Sequence, residues 1–408
     1  MERLVSFCGL FGMLALAWLM SSHRRRVSPR IVIFGVALQF ALAALILKTD
    51  IGLRVFALAR DAFTAVLSCT DYGTNFLFGK SFMKQESVVE SFAFRALPVI
   101  IFFSSLMSVL YYLGVMQWIV RSLAWVLQKT LRTSGAETLA AVANIFAGQT
   151  EAPLVIRPYL SGMTQSELMS LMVGGFATVA GSVLAVYASM GVDAGHMLTA
   201  SVISAPAALV VAKLMQPEVE QPETLGAINA PAKSEADNLI HAVALGAADG
   251  LKLALNVAAM LIAFLAMIYL VNLVIGAVGE SLFGRQGWSL QLFLGYVFYP
   301  IARMMGVEQA DCRTVGQLLG VKMVANEFLA YSDLTRHIAA GELSPRSQVL
   351  ATYALCGFAN FGSIGIQIGG ISPLAPNRRS DIARLGFRAM LGGTLAACMT
   401  ACVVGVLL

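Results

Sequence analysis

The chain has 408 residues, of which 58% are hydrophobic and only 12% charged, where an ordinary soluble domain carries about 25% charged residues. A mean hydropathy of +0.76 over this length is more than one buried core absorbs, so much of the apolar surface faces lipid and an ordinary cytosolic enzyme is excluded. The net charge of +5 sits in a few loops, where it reports orientation in a membrane rather than a nucleic-acid surface.

Runs of about 20 apolar residues cross the hydrocarbon as helices. The first, 4–20, is followed by Ser-Ser-His-Arg-Arg-Arg instead of a small-residue cleavage site, so it reads as a retained span. A second covers 31–47. The stretch 50–92 mixes Arg54, Arg60 and Asp61 with apolar residues and suits an amphipathic helix lying at the interface. Further spans at 97–120, 168–191, 197–212, 253–278, 349–370 and 385–408 bring the expected crossings to eight. Arginine and lysine stay cytoplasmic. Arg24, Arg25, Arg26 and Arg30 follow the first span, Arg121, Lys129 and Arg132 the third, and Arg378, Arg379 and Arg384 the seventh. All three clusters agree with an external N-terminus and an external C-terminus. The Pro- and Glu-rich segment 216–237 joins spans five and six as a flexible cytoplasmic linker. Cys8, Cys69, Cys312, Cys356, Cys398 and Cys402 lack the paired spacing of a zinc site or a disulfide framework and are expected to be buried, reduced thiols.

Two regions are too short and too polar to span. One, 134–160, surrounds Gly148-Gln149-Thr150-Glu151-Ala152-Pro153; the other, 314–337, surrounds Asn326-Glu327. Both read as helical hairpins that enter the membrane and return on the same side. Val142-Ala143-Asn144 recurs as Val324-Ala325-Asn326, and Gly175-Phe176-Ala177-Thr178 as Gly357-Phe358-Ala359-Asn360, both at an offset of 182 residues. Each unit is therefore a hairpin followed by two spans, and the one crossing between the units makes the repeat inverted. Inverted repeats with interrupted helices characterise secondary transporters, whose sites lie near the midplane. The interruptions are expected at Gly174-Gly175 with Gly181-Ser182, and at Gly357, Gly362 and Gly365. The fold class is thus an all-α polytopic membrane protein with eight transmembrane helices, two re-entrant hairpins and discontinuous helices. Its parts are N-terminal scaffold spans (1–133), a first repeat (134–215), a linker (216–248), a connecting scaffold span (249–280) and a second repeat (281–408).

Glu151 and Glu327 stand at the hairpin tips, where an ionised carboxylate is costly unless paired or hydrated; the alternatives to function are a salt bridge to Lys322, Arg157 or Lys252, or a tip that simply reaches water. Gln149, Thr150, Asn360 and Ser363 supply neutral donors and acceptors near the breaks, suited to an uncharged ligand with many hydroxyl and amide edges. Asn144 and Thr178, with the carbonyls of Ala147 and Val179, offer hard oxygens for a weakly bound monovalent cation; a proton taken up by a Glu is the other reading. No hydrolase elbow, zinc-protease helix or phosphate-binding loop occurs, so no enzyme and no organic cofactor is expected.

The segments Phe-Ala-Phe-Arg-Ala-Leu-Pro (92–98), Tyr-Tyr-Leu-Gly-Val-Met-Gln-Trp (111–118), Gly-Gln-Thr-Glu-Ala-Pro-Leu-Val (148–155), Ala-Asn-Glu-Phe (325–328) and Cys-Gly-Phe-Ala-Asn (356–360) resemble the concentrative nucleoside transporter family, in its bacterial form, over nearly the whole chain. The resemblance implies a homotrimer that imports nucleosides with sodium or protons, by an elevator movement of a transport domain against a trimerising scaffold. It places Gln149 and Thr150 on the nucleobase, with Glu151 helping through water and Val183 and Leu253 packing on the base. Glu327, Asn360 and Ser363 hold the ribose, with Phe358 as an apolar neighbour. Asn144, Thr178 and the carbonyls of Ala147 and Val179 match its sodium site, although relatives often carry Ser where Thr178 stands. The expected activity is sodium-driven nucleoside symport in a bacterial inner membrane, with a proton-coupled version as the alternative; no nucleic-acid partner is expected. A non-transporting sensor would carry a soluble output domain, and the longest polar stretch here is the linker.

Overall fold

A computed structural model describes residues 1–83, 92–225, 236–284 and 287–408, and the regular structure within them is helical. The chain begins with spans α1 (Glu2–Leu19) and α2 (Pro29–Lys48), the latter opening on a proline whose missing N–H costs nothing in a first turn. Helix α3 (Asp50–Phe78) is capped by the Thr49 hydroxyl and followed by the single turn α4 (Lys80–Met83). Residues 84–91, the end of the expected interfacial stretch, lie outside the described residues.

The single crossing expected at 97–120 is corrected to two helices, α5 (Phe92–Tyr112) and α6 (Val115–Leu131), bent by 75° at Gly114, whose φ of +78° turns the chain. Helix α6 is amphipathic, burying Met116, Val120, Ala124, Leu127 and Leu131 along one face. The first hairpin follows as α7 (Gly135–Ala143), the tip, and a return arm made of α8 (Ala152–Val155) and a 3-10 turn, Arg157–Gly162. Then come α9 (Gln165–Ala177), α10 (Gly181–Ser189) and α11 (Ala194–Met215).

Part of the expected linker is structured. Gly135 and Ala136 donate their free N–H groups to the carbonyl and hydroxyl of Thr224 at 2.9 and 3.0 Å, and Lys213 pairs with Glu137 (2.8 Å) and Glu218 (3.1 Å). Residues 216–225 thus strap the base of the first hairpin. Residues 226–235 lie outside the described residues, and α12 (Leu239–Phe283) takes up the rest. At 1.5 Å per residue its 45 residues span about 68 Å, more than twice the hydrocarbon thickness. Helix α12 lies against α5 through Gly246 and Gly250, where an added Cβ would stand 2.6 Å from the Ser104 carbonyl oxygen and 2.7 Å from the Ile101 Cα.

Helix α13 (Leu290–Met304) was not anticipated as an element. The second hairpin, α14 (Cys312–Val324) and α15 (Glu327–Ala339), precedes α16 (Pro345–Leu355), α17 (Phe361–Ile371) and α18 (Arg379–Leu407). The order of hairpin, broken helix and whole helix therefore recurs. The breaks fall at 178–180 and 356–360, which corrects the expected positions: Gly174 and Gly175 lie inside α9, Gly362 and Gly365 inside α17, and Gly181 with Ser182 opens α10. Gly357 does sit in a break, at φ +119°.

Contacts at the two ends of the molecule establish the inversion. At one end Ser22 donates to the Met215 carbonyl, Arg388 to those of Met20 and Met215, Gly135 to that of Thr224 and Arg378 to that of Met163. The three basic clusters and the base of the first hairpin gather there. At the other end Arg303 pairs with Glu2, Ser344 donates to Asp311, and Arg346 donates to the carbonyls of Gly306 and Gly405. Both chain ends and the base of the second hairpin gather there, so the hairpins enter from opposite faces.

Burial sorts the helices. In its most apolar window α11 is 89% buried by protein, while that of residues 239–281 in α12 is 6% buried and faces outward. Cys312, Cys356, Cys398 and Cys402 are buried as expected, whereas Cys8 and Cys69 are exposed because they lie on the outward faces of α1 and α3.

A Cβ on Gly357 would lie 2.4 Å from the Phe176 carbonyl oxygen, while one on Gly365 would meet nothing within 4 Å. Gly357→Ala is expected to lower stability by about 1–3 kcal/mol, and Gly365→Ala to leave it unchanged or raise it by up to about 1 kcal/mol. Thermal unfolding of the purified protein in detergent checks this; equal midpoints for the two variants would contradict the crossing.

Candidate functional site

The site is built where the two broken helices cross. Helix α10 starts at the first hairpin tip, where Gly181 donates to the Phe146 carbonyl at 2.9 Å, and ends beside the second tip, where the Tyr187 hydroxyl donates to Glu327 Oε1 at 2.8 Å. Helix α17 runs the other way. Its cap, Asn360, donates to Glu327 Oε2 at 2.9 Å, and Gly370 near its end lies against Thr150, a Cβ there being 2.9 Å from the threonine Cγ2. Each tip is therefore held by the second half-helix of the other repeat.

One stripe of α17 meets both tips. Residues 360, 363, 367 and 370 repeat at helical spacing on one face. Asn360 Oδ1 accepts from the Ser363 N–H at 2.8 Å, which caps the start of the helix and aims the amide nitrogen at Glu327. Gln367 Nε2 donates to the Met172 carbonyl and to Gln149 Oε1, both at 3.1 Å. A backbone carbonyl only accepts, so it fixes which end of the Gln367 amide is the nitrogen. Gln149 must then turn its oxygen to Gln367, which leaves its own NH₂ as the group offered to a ligand.

Glu151 is exposed at the first tip and accepts from the Gly148 N–H at 3.2 Å; Glu327 is buried with its two oxygens accepting from Tyr187 and Asn360. Neither is in ion-pair contact with Lys322, Arg157 or Lys252. Lys252 instead pairs with Asp249, and the buried Lys322 donates to the carbonyls of Ala354 (3.0 Å) and Cys356 (3.4 Å). Val183 lies on α10 and half-buried Phe358 in the second break. Leu253 on α12 packs, with Phe328, against both apolar clusters of the described residues.

A second seam joins the first hairpin to the break after α9. Asn144 is fully buried, and neither its amide oxygen nor its amide nitrogen has a hydrogen-bond partner. Its nitrogen lies 3.0 Å from the point where a Cβ on Gly174 would stand. The Thr178 hydroxyl donates to the Gly174 carbonyl at 2.8 Å, which leaves its lone pairs free. Among the described residues no hydrogen bond is made to the carbonyls of Ala147 or Val179. Buried oxygens without donors are costly unless something cationic or protic meets them, and an all-oxygen set of neutral groups fits a monovalent cation.

Sequence reasoning thus named Gln149, Thr150, Glu327, Asn360, Ser363, Asn144 and Thr178 in groups that the fold brings together. It missed Gln367 and Tyr187. Gln367 was legible as the polar residue four after Ser363 in an otherwise apolar run. Tyr187 carries no local signal, because its partner is 140 residues away.

Three family models match the chain in succession: "Na+ dependent nucleoside transporter N-terminus" over residues 8–81, "Nucleoside recognition" over 93–194 and "Na+ dependent nucleoside transporter C-terminus" over 196–405. Sodium/nucleoside cotransporter 1 of Rattus norvegicus is 45% identical over 420 residues, covering 100% of this chain and 64% of its own length. Solute carrier family 28 member 3 of Homo sapiens is 44% identical, with 60% of its length covered. The chain therefore spans less than two thirds of these relatives. Among solved structures, CNTnw in an inward-facing substrate-bound state matches with a TM-score of 0.94 at 42% identity, covering 100% of this chain and 98% of the other. A variant of CNTnw in an outward-facing state matches with a TM-score of 0.93.

Removing the hydroxyl that meets Glu327 tests the network directly. Tyr187→Phe is expected to lower stability by about 1.5–3 kcal/mol, as for loss of a hydrogen bond to a charged group. An unchanged unfolding midpoint in detergent would show that the bond contributes nothing.

Proposed function

Because this chain belongs to the Na+-dependent nucleoside transporter family, we propose that it is a symporter that imports nucleosides across a cytoplasmic membrane with the sodium gradient. The observation that carries the reading is Asn144, a fully buried amide without partners at the seam between the first hairpin and the break after α9. A sodium ion there takes the Asn144 and Thr178 oxygens with the carbonyls of Ala147 and Val179, and holds the first tip in place. That tip presents the Gln149 amide and Thr150 to the base, with Glu151 reaching it through water and Val183 and Leu253 packing on its faces. Glu327, Asn360 and Ser363 take the ribose hydroxyls beside Phe358. The relatives' names, which speak of sodium and nucleosides, support the same assignment.

Coupling follows from linkage. If the ion fixes the tip and raises nucleoside affinity, the nucleoside raises ion affinity by the same factor. One charge moving down a membrane potential releases about 2.3 kcal/mol per 100 mV. The two hairpins, the broken helices and α11 with α18 form the moving transport domain, and the N-terminal spans with α12 form a scaffold in a homotrimer. The basic end faces the cytoplasm, which places both chain ends outside a bacterial inner membrane. The resemblance of one fold to CNTnw structures in inward- and outward-facing states supports alternating access.

Two variants test the assignment in proteoliposomes. Glu327→Gln is expected to weaken uridine affinity by about 10- to 150-fold, the equivalent of 1.5–3 kcal/mol. Wild-type uptake would remove Glu327 from the site. Asn144→Ala is expected to raise the half-saturating sodium concentration at least about tenfold, the cost of one lost ligand of about 1.4 kcal/mol. An unchanged sodium titration would reject that ion site, and uptake undiminished when choline replaces sodium at fixed pH would favour proton coupling.

A further inference from the structure

The first tip is oriented by a residue of the other repeat. Gln149 and Gln367 are 218 residues apart and meet in a buried hydrogen bond, Gln367 being 1% and Gln149 7% exposed. Gly175 brings α9 directly onto both side chains: a Cβ there would stand 2.8 Å from Gln367 Nε2 and 2.9 Å from the Gln149 Cβ. The Gln367 oxygen is buried without a partner, so the orientation of its amide is set by what the nitrogen meets, the Met172 carbonyl and Gln149 Oε1. An oxygen in that place would face the Met172 carbonyl with no donor between them.

Gln149 consequently offers a ligand one kind of group. Its oxygen faces Gln367, and its nitrogen makes no hydrogen bond among the described residues. The neighbouring Thr150 carries a hydroxyl, which donates or accepts as its partner requires. The fixed polarity of the tip is thus that of the Gln149 N–H groups. In the proposed function Glu327, Asn360 and Ser363 take the ribose, so a nucleoside brings to the first tip the edge of its base that points away from the sugar. On that edge uracil carries a carbonyl oxygen and cytosine an amino group, and guanine and adenine differ in the same way. The two pyrimidines are otherwise close in size and shape. A fixed donor meets the carbonyl with a hydrogen bond, whereas it meets the amino group with a second donor and leaves both without an acceptor.

We propose that Gln367 is a positioning residue that determines specificity: by holding Gln149 as a donor, it makes the transporter select nucleosides whose base bears a carbonyl on the edge opposite the sugar, uridine above cytidine. This rests on the placement of the base at the first tip under the proposed function. Gln367 acts through Gln149, so the choice made by the first repeat is dictated from the second.

The test is uptake of labelled uridine by the full-length protein in proteoliposomes, with unlabelled uridine and cytidine as competitors. Wild type is expected to favour uridine at least about fivefold, the effect of one hydrogen bond exchanged for a clash of donors. Gln367→Met keeps the length of the side chain but frees Gln149 to turn over, and the ratio is expected to fall toward one. Gln367→Glu is expected to bring it below one. The Met172 carbonyl takes the proton of the new carboxyl, which then accepts from Gln149, so Gln149 turns its nitrogen inward and its oxygen to the base. A purely structural role for Gln367 would weaken both nucleosides alike and keep the ratio. A wild-type ratio in either variant therefore overturns the proposal, as does a wild-type protein that binds the two nucleosides equally. Gln149→Met tells this failure from that of the underlying reading: a ratio near one supports the contact with the base, and a ratio still favouring uridine rejects the placement of the base at the first tip.

Discussion

The structure depends on one constraint: no backbone polar group can be left bare in a dry interior. Two helices are nevertheless interrupted, at 178–180 and 356–360, and the interruptions are tolerable because they meet. Gly357 places its backbone against Phe176 and Ala177 at a distance that a side chain would forbid. From that crossing the rest follows. The half-helices α10 and α17 run in opposite directions away from it, each reaches the hairpin tip of the other repeat, and the groups left over at the breaks are the ones that the proposed function gives to a ligand or an ion.

The polar side chains at the crossing have strict assignments. Glu327 is satisfied by a phenol from one repeat and an amide from the other. Gln149 is oriented by a second glutamine whose own orientation is dictated by a main-chain carbonyl. Such a chain of dependence removes the usual ambidexterity of an amide, and it converts a flexible side chain into a fixed donor. Asn144 stands apart from this economy of partners, which is why it points to an occupant.

Much of this was legible in the sequence, and the reasons differ by level. The spans were readable because lipid demands long apolar runs, and the hairpins because Glu151 and Glu327 sit where a span would not carry them. The inversion was readable from a shared offset and from parity. Other features were not. The bend at Gly114 and the helix Leu290–Met304 fall in apolar sequence that a straight span would fit equally well, and the breaks were misplaced because Gly174 and Gly175 serve close packing on Asn144, Gln149 and Gln367 instead of unwinding. The strap at 216–225 was hidden because its composition is that of a loop, and only the unsatisfied N–H groups at the start of α7 give it work.

The joining of the two chain ends bears on how the protein is made. Helix α1 finds its partners late: Ser6 bonds to the Met305 carbonyl, and Arg3 to the carbonyl of Leu408. About 360 residues separate the end of α1 from the start of α18, which at roughly 5–20 residues per second is about 20–70 s of synthesis. During that interval α1 has α11 and α13 to pack against but lacks the helix it meets most extensively. Its most apolar window is only 28% buried in the finished chain, so most of that surface is left uncovered by the chain's own later helices.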